Sequence, residues 1–187
     1  MKKCAIAIGV AAAWFCTFAD ATYPDPISSA TNYTINVTGT SVTNTYSGKI
    51  TLTDGAKLIK TGAGTLALTC GENELDGGIL LSAGKLRADV EGCLGTGKIT
   101  FDTSSNRQLI FNAPNATFPN DIEQVVYYAV AWNVNHIKFD AATTLSGNIT
   151  SPGGNLTLEM NTSGAHVTFT GSIDMGEHGA PSKARQN

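Results

Sequence analysis

The stretch Leu58 to Leu86, LIKTGAGTLALTCGENELDGGILLSAGKL, restricts the fold more than any other part of the chain. It is dense in glycine, yet it is not linker-like, because pulses of Leu, Ile and Ala separate the glycines. Each pulse is short and alternates. Ile50/Leu52, Leu66/Leu68, Ile99/Phe101, Leu109/Phe111, Leu156/Leu158 and Val167/Phe169 are all apolar at i and i+2. A period of two places them on one face of a strand, and Gly, Asn, Asp or Ser ends each run. Short strands at short spacing need sharp corners. Glycine adopts the positive φ of such corners and lets neighbouring backbones lie close together.

The corners recur. A large apolar residue, Ser or Thr, Gly, any residue and Ile occur as Tyr46-Ser47-Gly48-Lys49-Ile50, Leu145-Ser146-Gly147-Asn148-Ile149 and Phe169-Thr170-Gly171-Ser172-Ile173. Phe118-Pro119-Asn120-Asp121-Ile122 is a degenerate copy. The last two full copies lie 24 residues apart (169 − 145), and the degenerate copy lies 27 before them (145 − 118). Periods of about 20 to 50 residues belong to solenoids and propellers. No segment has helical periodicity, and Glu123 to Asn135 also reads as alternation, with Val126, Tyr128, Val130, Trp132 and Val134 on one face. The expected fold is all-β: a right-handed parallel β-helix of several coils, spanning residues 22–173.

The ends read differently. Lys2 and Lys3 precede an apolar run from Cys4 to Phe18, and Ala19-Asp20-Ala21 supplies small residues. This is the build of a secretory signal peptide cut after Ala21; an uncut N-terminal anchor is the alternative. Residues 174–187 turn polar and lose periodicity. No later run approaches the ~20 apolar residues of a membrane span. Charged residues are 14% of the chain and the net charge is −3, so no basic patch suggests nucleic acid.

At residues 58–101 the sequence resembles a known repeat. Lys60-Thr61-Gly62-Ala63-Gly64-Thr65-Leu66-Ala67-Leu68, then Asn73, Gly77-Gly78, Ser82-Ala83-Gly84-Lys85-Leu86 and Leu94-Gly95-Thr96-Gly97 follow the order of the autotransporter-associated β-strand repeat. The resemblance implies a bacterial, exported β-helical passenger, at the cell surface or shed, and adhesive in some members. It implies no catalytic residue, cofactor or metal. Its expected partners are host or matrix glycans or proteins, and the chain is expected to be a monomer or a piece of a longer passenger. The translocator barrel of such proteins does not follow in this sequence. The other reading is a carbohydrate-binding or carbohydrate-active β-helix.

Cys70 and Cys93 lie 23 apart (93 − 70), near one coil length, so a disulfide stands beside two buried thiols as alternatives. Tyr127, Tyr128 and Trp132 are the densest aromatic group: either ligand-contact residues on a flat face or, as alternation favours, core packing. Gly92 to Lys98, GCLGTGK, fits part of a phosphate loop, but Ile99 stands where Ser or Thr must hold magnesium, and a strand follows. Glu72, Glu74 and Asp76 read as a solvated acidic turn rather than a calcium loop. Asp89, Asp102, Asp140 and Asp174 are too dispersed to require a glycosidase pair. His136, His166 and His178 lack zinc spacing. The sequons at Asn32, Asn36, Asn115, Asn148, Asn155 and Asn161 read as composition.

Overall fold

The computed structural model describes residues 23–103, 106–125, 134–152, 156–161 and 166–176. Among them there is no helix, and every strand pairs in parallel. The first three coils each supply three strands. They are β1 (Ile27–Ser29), β2 (Tyr33–Asn36) and β3 (Thr43–Tyr46); β4 (Ile50–Leu52), β5 (Leu58–Thr61) and β6 (Thr65–Leu68); and β7 (Glu74–Leu75), β8 (Ile79–Leu81) and β9 (Lys85–Ala88). The fourth has two, β10 (Ile99–Phe101) and β11 (Gln108–Phe111). Three-strand coils then resume with β12 (Ala116–Phe118), β13 (Ile122–Gln124) and β14 (Asn135–Phe139), then β15 (Thr143–Leu145), β16 (Ile149–Thr150) and β17 (Leu156–Met160). The last strands among the described residues are β18 (Val167–Phe169) and β19 (Ile173–Asp174).

Strands pair with the equivalent strands of neighbouring coils, so the described residues form a three-sided β-solenoid of about six turns. The second face is a seven-stranded sheet, β2-β5-β8-β10-β13-β16-β19, and the third a six-stranded one, β3-β6-β9-β11-β14-β17. The first face is split into β1-β4-β7 and β12-β15-β18.

The alternation seen in the sequence becomes stacked columns. Leu58, Ile79, Ile99, Ile122, Ile149 and Ile173 lie in register, one per coil. Phe118, Leu145 and Phe169 form another column, so the spacings of 27 and 24 are true coil lengths. Tyr46–Ile50 is not equivalent to these copies. It turns from the third face to the first, whereas Phe118–Ile122 turns from the first to the second. Inside the prism Phe111, Phe118 and Phe139 pack as rings: Phe111 lies 4.8 Å from Phe118 and stacks 5.5 Å from Phe139. Among the described residues no coil stacks on the last one, and Phe169 and Ile173 are exposed although in phase with the core.

The split first face is bridged by amides. Residues 91–98 form turns where a fourth-coil strand would lie. The buried Asn73 accepts from the Ile50 amide (2.9 Å) and donates to the Cys93 carbonyl (2.8 Å). Asn120 Nδ2 donates to the Gly97 and Gly95 carbonyls (2.8 and 3.1 Å). Side-chain amides thus replace ladder bonds where the strand is missing, as buried backbone groups require.

Candidate functional site

The corner between the second and third faces changes length along the stack. Its connections are residues 37–42 in the first coil and 102–107 in the fourth, six residues each. In the second and third coils they are 62–64 and 82–84, three residues each. Two short corners between two long ones leave a notch. Its volume is about 460 Å³, and it is lined by Thr40, Gly62, Ala63, Ser82, Ala83, Gly84, Lys85, Asn106 and Arg107. The short corners are tight because of their glycines. Gly84 has φ +69°, and a Cβ there would lie 2.3 Å from the Gly62 carbonyl oxygen. Only glycine fits such a position.

Two cations are buried at this corner. Lys60 is in phase with Leu58 on β5 and points inward, fully buried. Its Nζ donates to the carbonyls of Thr61 (2.7 Å), Gly62 (2.9 Å) and Ala83 (3.1 Å). One ammonium therefore ties the corners of the second and third coils together. Burial pushes its pKa down from 10.5 to about 8. Arg107 is buried in phase with Leu109 and Phe111, and its backbone amide donates to Asn135 Oδ1 (3.0 Å). Burial lowers its pKa too, and the Asp102 charge opposes that shift. Asn135 reaches Gln124 Oε1 at 3.3 Å, which extends a buried polar corner into the fifth coil.

The repeat-motif residues lie around this site and along the core. Leu66, Leu68, Leu86 and Leu94 are fully buried. Gly62, Gly78, Gly84 and Gly95 have positive φ. Gly64, Gly77 and Gly97 each sit where a Cβ would meet a neighbouring coil's backbone within 3 Å. Gly62 and Gly84 line the notch, Gly64 completes the same second-coil corner, and the other glycines shape corners elsewhere.

Cys70 and Cys93 are free thiols, so the disulfide alternative is not realised. The coil is shorter there than the 24-residue spacing suggested. Leu68 pairs with Ala88, an offset of 20, and Cys93 contacts Asn73 through its carbonyl. Cys93 therefore lies three positions beyond the residue that would face Cys70. Burial pushes the Cys93 thiol up to about 11.

Tyr127, Tyr128 and Trp132 lie outside the described residues, as do residues 1–22, His178 and most of the polar tail. The Gly92 to Lys98 segment is a run of turns entering strand β10, and Lys98 pairs with Glu123. Glu72, Glu74 and Asp76 are exposed; Glu74 pairs with Lys49 and Asp76 accepts from Thr96. Asp89 binds Arg87 and Asn112, and Asp140 accepts from Asn161. On the third face His136 and Lys138 share Glu159. Burial raises the Glu159 pKa, but these two partners outweigh it and hold the carboxyl below its usual range. Among the described residues, no three His, Cys, Asp or Glu side chains group as metal ligands, and no helix is long and apolar enough to cross a membrane.

Sequence reasoning missed Lys60, Arg107 and Asn120 as structural or site residues. The signal was present for the first two. Each is a charged residue at an inward phase, as in Leu58-x-Lys60 and Arg107-x-Leu109-x-Phe111.

No family model, curated protein or solved structure matches this chain.

Proposed function

We propose that this protein is a non-enzymatic structural or adhesion module, exported by a bacterium and displayed at or shed from its surface, in the manner of an autotransporter passenger. The observation that carries this reading is the unbroken parallel register of the stack, coil upon coil, on the second and third faces. Such a stack is a stiff rod with flat sides and repeated corners, suited to holding a binding surface away from a membrane. The repeat resemblance at residues 58–101 supports the same reading. So do the coil-to-coil ion pairs Lys49–Glu74, Lys98–Glu123 and Lys138–Glu159, which lie between stacked strands or their ends.

A carbohydrate-binding role is the second reading, favoured by the notch with its hydroxyl, amide and ammonium groups. A carbohydrate-active enzyme has less support, because Asp89 and Asp140 are tied to neighbouring side chains rather than set as a facing pair.

The test is adhesion of beads coated with the purified protein to panels of glycans and matrix proteins, run beside an assay for reducing ends released from polysaccharides. Bead capture without turnover is expected. Release of reducing ends, or no capture by any panel member, overturns the proposal.

A further inference from the structure

Among the described residues the notch is lined by basic but not acidic side chains, on a chain whose net charge is negative. Lys85 and Arg107 line it, and no carboxylate does. Lys60 lies beneath its floor, with its ammonium bound to the carbonyls of Thr61, Gly62 and Ala83. Asp102 is the acid whose charge reaches Arg107.

Lys85 differs from the other cations of the third face. Arg87 is held by Asp89 and Lys138 by Glu159. Lys85 stacks between Thr65 and Gln108, and among the described residues it enters no ion pair. Lys85 thus lines a concave site together with the buried Arg107, and the buried Lys60 lies beneath it. In such a setting the field on an anion is stronger than on an open surface, because low-dielectric walls focus it. Thr40, Ser82 and Asn106 add donors and acceptors around the same hollow. Its volume falls within the roughly 300–1,000 Å³ of small-molecule sites.

We propose that the notch binds an acidic saccharide unit. Its carboxylate or sulfate sits against the Lys85 ammonium, in the field of Arg107 and Lys60, and its hydroxyls meet Thr40, Ser82 and Asn106. A charge-assisted hydrogen bond to Lys85 provides most of the discrimination against neutral sugars. This inference rests on the surface-module reading and specifies its ligand; the bead assay tests that reading independently.

The experiment is calorimetric titration of the purified protein with polygalacturonate, heparin, neutral dextran and duplex DNA, at low and high salt. Lys85→Glu reverses the charge at the rim. Ala83→Trp fills the hollow without touching a charge. The wild-type protein is expected to bind at least one acidic polysaccharide, more weakly at high salt, and to ignore dextran. Both variants are expected to weaken binding at least tenfold while keeping the wild-type circular dichroism spectrum and urea midpoint, and Lys85→Arg to retain it. Binding to polygalacturonate alone assigns a carboxylate, and binding to heparin alone a sulfate; either supports the proposal. No acidic polysaccharide bound, binding untouched by both variants, or DNA bound as tightly as the polysaccharides overturns it. Any of these three results, beside positive bead capture, leaves the surface-module reading standing.

Discussion

Lys60 makes a quantitative prediction about stability against pH. Its ammonium is fully buried and its pKa falls to about 8, against 10.5 for an exposed lysine. Between those values the unfolded chain holds a proton that the folded chain has released. Stability must therefore rise as pH increases from about 8 to 10.5, and fall again as pH drops through 8. The difference of about 2.5 units, at about 1.36 kcal/mol each, sets a gain of about 3 kcal/mol as the ceiling. Three carbonyl acceptors favour the charged form and reduce it. The assay is urea unfolding from pH 7 to 10.5 for the wild type and Lys60→Met. Other lysines and tyrosines titrate in both proteins, so the difference between the two curves isolates Lys60. The wild type should gain on the variant across this window. Parallel curves would refute the claim that the ammonium is desolvated at this corner. At neutral pH the variant loses its bonds to the corner carbonyls but also loses a buried charge, so its stability there should lie within about 3 kcal/mol of wild type.

Four further outcomes test the rest of the fold. Gly84→Ala and Gly55→Ala both force alanine to positive φ, at about 1–2 kcal/mol, but only Gly84 abuts backbone; its variant should lose about 2 kcal/mol more in urea unfolding. Asn120→Ala strips donors from the Gly95 and Gly97 carbonyls and should cost about 2–4 kcal/mol, with hydrogen exchange rising first around residues 91–98. Phe139→Ala removes the ring stacked on Phe111 and should cost about 3–5 kcal/mol by the same unfolding assay. Under non-reducing conditions Cys70 should react with a thiol reagent in the native protein, whereas the buried Cys93 should react only on unfolding; loss of both thiols together would instead mean a disulfide.

The strand pattern was legible because a strand reports its faces with a period of two. Ile99/Phe101 and Leu109/Phe111 are buried as their alternation implies. The copies at Phe118, Leu145 and Phe169 were legible because each occupies the same corner of its coil, which brings them into one column although the coils between them are 27 and 24 residues long. The Tyr46–Ile50 copy misled, since the same five-residue turn serves two different corners. The cysteine spacing misled for a related reason. A spacing of 23 equals one coil only if every coil has the same length, and the coil between Leu68 and Ala88 is 20. Leu158 and Phe169 show another limit: the phase is right, but each lies on the last described strand of its sheet, and among the described residues no further strand covers it.

The candidate site was less legible than the fold. Lys85, Gly62 and Gly84 stood within a motif, but nothing in a linear sequence says that two three-residue corners lie between two six-residue ones. The notch depends on those lengths being stacked.

The sequence by itself determined that this chain forms short strands joined by glycine corners and stacked coil on coil, because alternation and backbone freedom are local properties. The tertiary structure alone decided which corner each turn serves, which charged side chains lie inside, and where a hollow opens. Those depend on register between coils, and register is a sum over corner lengths that only the assembled stack makes explicit.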